Sequence, residues 1–388
     1  MGVPDASGDP HQQTYPANPP KKPNNSQTEA DPPGSPKHSN VDSDEQSHAP
    51  SELIAPETEH EFPLYEVTEF TCHGVDTDTE FFVRCNGKRL NIRLDADNFS
   101  ESPSLKDEYL FWLKVANAYE LDGYTLDDFY DWVLKPFLPI LDAIPPLDED
   151  AGPTLHDYFF TETTIYTLSV VAGELVPRLF ECNNEDNEWE RNRSSIPEEI
   201  CSPWPSFRLS ELEICPEWPG GALSTSPSKV RLPGGTTAFF KPSGHGDEFA
   251  ARELPNHEKI RDAELEDELL VSRLHGLARD DGGTVYGMLL GYIDCGNMNL
   301  ACAVKPDTPL ALRRKWAGQV KRAVERLHEA GVVWGDAKAD NVLIDSNDDA
   351  WVIDFGGGYT EGWVEKDSAH TVTGDLQGLA KILELLDV

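Results

Sequence analysis

The chain has 388 residues, room for two ordinary domains or for one large domain with a tail. Its formal net charge of −38, from 70 acidic against 32 basic residues, repels phosphate backbones and anionic lipid, so nucleic-acid and membrane partners are disfavoured. No apolar run approaches the ~20 residues of a membrane span, and Met1–Asp5 lacks a secretory core. Seven scattered cysteines with no C-x-x-C pair predict reduced thiols, hence a cytoplasmic or nuclear protein.

Residues 1–60 are Pro, Ser, Asn, Asp and Gln with almost nothing apolar, so they cannot offset the entropy of ordering and predict a disordered tail. Residues 61–205 read as an α+β accessory module. Strands are expected from Phe62, over Glu80–Cys85 and over Arg89–Leu94, the last two joined by an Asn86-Gly87 hairpin turn. Ser104 with Asp107, and Thr125 with Asp128, predict capped helices, the second bent or ended at Pro136. Two more strands are expected at Thr164–Val171 and Leu175–Phe180, before an acidic break over 183–193. The module holds no catalytic grouping.

From residue 206 the pattern changes to short strands. Lys229–Leu232, the Pro233-Gly-Gly turn and Thr236–Lys241 predict a hairpin that ends in an amine. A helix follows with Glu253, His257 and Ile260 on one face; Pro255 predicts that this stretch is the helix's first turn. Glu264 and Glu268 are alternative carboxylates. Strands over Leu269–Ala278 and Val285–Ile293 then break at Asp294-Cys-Gly-Asn. Thr308-Pro309 opens a long helix striped by Leu312, Trp316, Val320, Val324 and Leu327; His328 near its end reads as structural or solvent-facing.

Next comes Gly331-Val-Val-Trp-Gly-Asp336-Ala-Lys338-Ala-Asp-Asn341, and after a short apolar hairpin Asp354-Phe-Gly. Phosphoryl transfer needs such a set: a carboxylate to orient the attacking hydroxyl, and an amide and second carboxylate to hold Mg²⁺ against ATP phosphates. The D-x-K-x-x-N loop and D-F-G resemble those of protein kinases, and residues 206–388 resemble a kinase-like domain of an atypical, fungal-looking branch.

The resemblance implies a bilobal α+β fold, with an N-lobe to about residue 293 and a C-lobe over 297–388. It implies Asp336 as catalytic base, Lys338 at the γ-phosphate, Asn341 and Asp354 as Mg²⁺ ligands, Lys241 as phosphate anchor and Glu253 as its partner. Asp375 resembles the helix residue that supports the catalytic loop. The chain departs from the pattern in four ways. Trp334-Gly335 replaces His-Arg, A-P-E is missing, no full G-x-G-x-x-G is present (Gly220-Gly221 and Gly234-Gly235 read as turns), and the C-lobe is truncated at Val388. The expected activity is an ATP- and Mg²⁺-dependent Ser/Thr protein kinase, Lys338 being the Ser/Thr form of the loop. A small-molecule kinase and a nucleotide-binding pseudokinase scaffold are the alternatives. The expected partner is accordingly a protein substrate or a small-molecule acceptor.

Overall fold

The computed structural model describes residues 65–72, 76–147, 152–180, 196–217, 221–243 and 248–388. The expected tail, Phe62 at the head of the first strand, the acidic break over 183–193 and Gly220 lie outside these residues.

The first body is built on β1 (Tyr65–Cys72), β2 (Thr79–Cys85) and β3 (Lys88–Leu94), the last two closed by Asn86-Gly87 with Cys85 opposite Lys88. The chain then runs through α1 (Pro103–Ala118), the two-residue strands β4 (Glu120–Leu121) and β5 (Tyr124–Thr125), α2 (Leu126–Leu134), α3 (Leu138–Asp142) and α4 (Leu155–Phe159). It returns as β6 (Thr163–Val171) and β7 (Glu174–Leu179). The sheet order is β1-β2-β3-β6-β7, parallel only between β3 and β6. A parallel pair needs a long crossover, and α1 and α2 lie within it. Period-two alternation turns Phe81, Val83 and Cys85 toward these helices, where Trp112 stacks on Phe129 with ring centroids 5.9 Å apart.

The cap of α1 is Ser102, not the expected Ser104. Pro103 takes the first helical position, where its missing N–H costs nothing, and this moves the start two residues back. Thr125 and Asp128 do form the expected reciprocal cap of α2.

The second body contains α5 (Glu198–Cys201), β8 (Ser206–Arg208), β9 (Glu213–Ile214), β10 (Lys229–Arg231) and β11 (Thr237–Pro242). It continues with α6 (Glu248–Asp262), α7 (Leu265–Glu268), β12 (Leu274–Arg279) and β13 (Val285–Gly291). These strands form one sheet in the order β8-β12-β13-β11-β10-β9. The third body has α8 (Leu300–Ala303), α9 (Leu310–Glu329), the hairpin of β14 (Val342–Ile344) and β15 (Ala350–Val352), and α10 (Val372–Leu385). Trp316, Val320, Val324 and Leu327 of α9 are buried as its stripe predicts. The second and third bodies make the bilobal α+β arrangement of a kinase-like domain, joined through 294–297 and by the Val352 N–H to Leu270 C=O bond of 2.9 Å.

Pro255 lies inside α6, seven residues after its start, not in its first turn. Tertiary packing on both sides of this helix outweighs the single lost backbone bond. Two segments ahead of residue 206 also pack into the second body. Leu155, Tyr158 and Phe159 of α4 share a core with Val230, Phe240, Tyr286 and Leu289, and Ile196, Cys201 and Trp204 share another with α6. The first body touches this core through Arg84, whose guanidinium lies 3.5 Å from the Tyr158 ring centroid, and through the Asn86 N–H to Ser224 Oγ bond of 2.7 Å.

Candidate active site

In β11, Ala238 and Phe240 face the core shared with α4, so Lys241 must point to the opposite face, toward α6 and the second lobe. There its Nζ contacts Glu253 Oε2 at 2.7 Å and Asp354 Oδ1 at 2.8 Å. Glu253 is fully buried, and Glu264 and Glu268 are not rivals: Glu264 is exposed in the turn before α7, and Glu268 pairs on the surface with Arg322 and Arg326. Burial pushes the Lys241 ammonium down, but the Glu253 and Asp354 carboxylates outweigh it and hold the pKa above its ordinary value. Burial likewise pushes the Glu253 carboxyl up, and His257 with Lys241 outweighs it, leaving that carboxyl below the usual range. His257 Nε2 stands 3.6 Å from Glu253 Oε1, beyond hydrogen-bond length, and its ring meets the buried Phe355 edge-on at 5.5 Å. Asn256 Nδ2 donates to Phe355 C=O at 2.8 Å, so α6 touches the D-F-G turn twice.

The catalytic-type loop runs from Val332 to Asn341 between α9 and β14. Asp375, 1% exposed on α10, accepts from the Trp334 and Gly335 backbone N–H groups at 2.7 Å each, with His328 Nε2 at 2.8 Å from the same carboxylate. His328 is therefore structural. Trp334 is buried and donates Nε1–H to Ile353 C=O at 2.8 Å, tying the loop to the strand before Asp354. Gly335 has φ +86°, and a Cβ there would meet Gly357 Cα at 2.9 Å. The site that carries arginine in H-R-D has no room for a side chain here.

Within the loop, Lys338 Nζ lies 2.7 Å from Asp336 Oδ2, and Asn341 Nδ2 donates to Asp336 C=O at 2.9 Å. Thr360 joins them: its hydroxyl accepts from Lys338 Nζ at 2.8 Å and donates to Asp336 Oδ1 at 3.0 Å. Tyr359, Thr360, Ser368 and Thr371 are the hydroxyl residues of the loop between D-F-G and α10, and no spacing rule singles out Thr360. Only the path of the loop does so.

The structure thus gathers the predicted residues into two groups, Lys241–Glu253–Asp354 and Asp336–Lys338–Asn341. Among the described residues no three His, Cys, Asp or Glu side chains converge as a metal cage. The donor set still fits Mg²⁺. Asp354, at φ +64° and partly exposed, gives Lys241 one carboxylate oxygen, and Asn341 commits its amide nitrogen to Asp336, leaving hard oxygen donors on both.

Residues 263–377 match the family model for the protein kinase domain. No curated protein matches the chain. The matched span covers the D-x-K-x-x-N loop, D-F-G and Asp375, and the bilobal fold extends it back to the strand that carries Lys241. The chain therefore carries a protein-kinase-like domain, the scaffold of phosphotransferases that use ATP.

Proposed function

We propose that the chain is an ATP- and Mg²⁺-dependent Ser/Thr protein kinase. The observation that carries this reading is Lys241 Nζ within 2.8 Å of both Glu253 and Asp354 across the two lobes. An ammonium held there can take the α- and β-phosphates, and Asp354 is placed to bring metal to the same phosphates. Mg²⁺, when bound through Asp354 and Asn341, neutralises phosphate charge. Asp336 orients the acceptor hydroxyl and takes its proton as the oxygen attacks the γ-phosphorus, with ADP leaving. Lys338, paired with Asp336, supplies positive charge beside the transferred group. Lys338 at the second place after Asp336, linked to the Thr360 hydroxyl, supports the Ser/Thr assignment and a protein acceptor.

The test is transfer of the labelled γ-phosphoryl group from ATP to the chain itself or to a panel of Ser/Thr peptides, wild type against Asp336→Ala. We expect kcat to fall on the order of 10²-fold or more, as for a lost general base, at unchanged ATP affinity. Tight Mg·ATP binding by the wild-type chain without any transfer would establish a nucleotide-binding scaffold instead.

A further inference from the structure

The segment that leads into the second sheet grips α6 along a stripe beside the one that faces the active site. Ile196, Cys201 and Trp204 are buried against Ala250 and Leu254 of α6 and against Leu274, Leu277, Met288 and Leu290 of β12 and β13. The Arg261 guanidinium, in the last turn of α6, lies 4.5 Å from the Trp204 ring centroid, and its Nη1 donates to Pro203 C=O at 3.1 Å. The segment then pins itself to the sheet. Leu277 N–H donates to Pro205 C=O at 2.8 Å, β8 pairs in parallel with β12, and Arg279 meets Glu198 at 2.9 Å. Backbones touch here: a Cβ on Gly276 would overlap Pro205 O.

Helical spacing gives this grip a consequence. Ala250, Leu254 and Arg261 follow one another at i, i+4 and i+11, which places them along one stripe of α6. Glu253 and His257 make the neighbouring stripe, which meets Lys241 and Phe355. Sliding or rotating α6 enough to draw Glu253 off Lys241 would strip Leu254 and Trp204 of their packing and break the Arg261–Pro203 bond. We propose that the segment Ile196–Arg208 is an intramolecular positioning element that holds α6, and through it Glu253, in the conformation that pairs with Lys241. Trp204 and Arg261 are its positioning residues; neither touches the reacting groups. The proposal rests on reading Lys241–Glu253 as the phosphate-anchoring pair.

The experiment uses the full chain with Trp204→Ala, the milder Arg261→Gln, which leaves no cavity, and Trp204→Phe. Leu155→Ala serves as a comparison, since it cuts the core on the other face of the same sheet. Amide hydrogen exchange over α6, Mg·ATP affinity and kcat are measured for each. Trp204→Ala and Arg261→Gln are expected to speed exchange in α6 and lower kcat about tenfold or more, with Trp204→Phe restoring most of both, while Leu155→Ala leaves exchange in α6 unchanged. In a Glu253→Gln background Trp204→Ala should add less than about twofold, because both act through one carboxylate. Equal losses in the two backgrounds, or unchanged exchange in α6, would overturn the proposal. A wild-type chain that binds Mg·ATP without transfer would refute the kinase reading alone; exchange and affinity would still decide the role of this segment.

Discussion

Asp375 is the sharpest place to test how the catalytic-type loop is held. In Asp375→Ala the backbone N–H groups of Trp334 and Gly335 lose their acceptor inside a site that is 1% exposed, and His328 loses its partner. Each buried, unsatisfied N–H costs about 1–3 kcal/mol, so the two together should destabilise by about 4 kcal/mol. For a unit of 150–250 residues that is about 8–16 °C in Tm. Asp375→Asn keeps one oxygen acceptor and turns an N–H₂ toward the other donor, so about half the loss is expected. Thermal unfolding followed by tryptophan fluorescence reads both variants, and exchange of the Trp334 and Gly335 amides locates the damage. A loss below ~1 kcal/mol in Asp375→Ala would mean that water replaces the carboxylate, and that the loop does not depend on α10.

Three further outcomes are expected. Asp354→Asn should abolish the Mg²⁺-dependent part of the thermal shift given by ATP while leaving the metal-free Tm within a few degrees; an unchanged Mg·ATP shift would remove Asp354 from the site. Gly335→Arg, which rebuilds the H-R-D wording, should lower Tm rather than create a phosphate receiver. An L residue at φ +86° costs roughly 1–2 kcal/mol before the clash with Gly357 is counted. The Lys241–Glu253 pair should stabilise across neutral pH. The Glu253 carboxyl lies below its ordinary 4.5, so its contribution is complete above that value and is lost as pH falls through the folded pKa. The Lys241 ammonium lies above its ordinary 10.5, so its contribution is complete below that value and is lost only as pH rises through the folded pKa. Tm differences between wild type and Glu253→Gln, followed from neutral pH into acid, should shrink only below the carboxylate range; shrinkage near neutrality would contradict the assignment.

The residues that gather at the site were legible through motif: the resemblance to protein kinases singled out Asp336, Lys338, Asn341 and Asp354, and Asp375 by its place after them. Lys241 was legible through its position: an amine ending an apolar strand says little by itself, and the D-x-K-x-x-N loop and D-F-G downstream gave it meaning. What stayed hidden depends on chain path. Thr360 reaches Asp336 through a loop whose course no local rule sets. The Ile196–Trp204 segment looks like the ragged end of an acidic break, and its apolar residues acquire meaning only against α6. Pro255 misled because local helix chemistry was given priority over packing that holds the helix on two sides. Ser104 misled by two residues, since Pro103 had already claimed the first helical position.

The strand order β8-β12-β13-β11-β10-β9 has a practical consequence for making fragments of this protein. Of these six strands the span 263–377 holds only β12 and β13, together with the D-x-K-x-x-N loop and D-F-G. A fragment cut to it would bare the β12 edge that pairs with β8 and the β13 edge that pairs with β11. Open edges of buried strands recruit other chains, so such a fragment should aggregate rather than stay in solution. It would also lack Lys241 and Glu253, and any failure to bind nucleotide would say nothing about the intact chain. A fragment beginning ahead of Leu155 keeps all six strands and the helix that covers them.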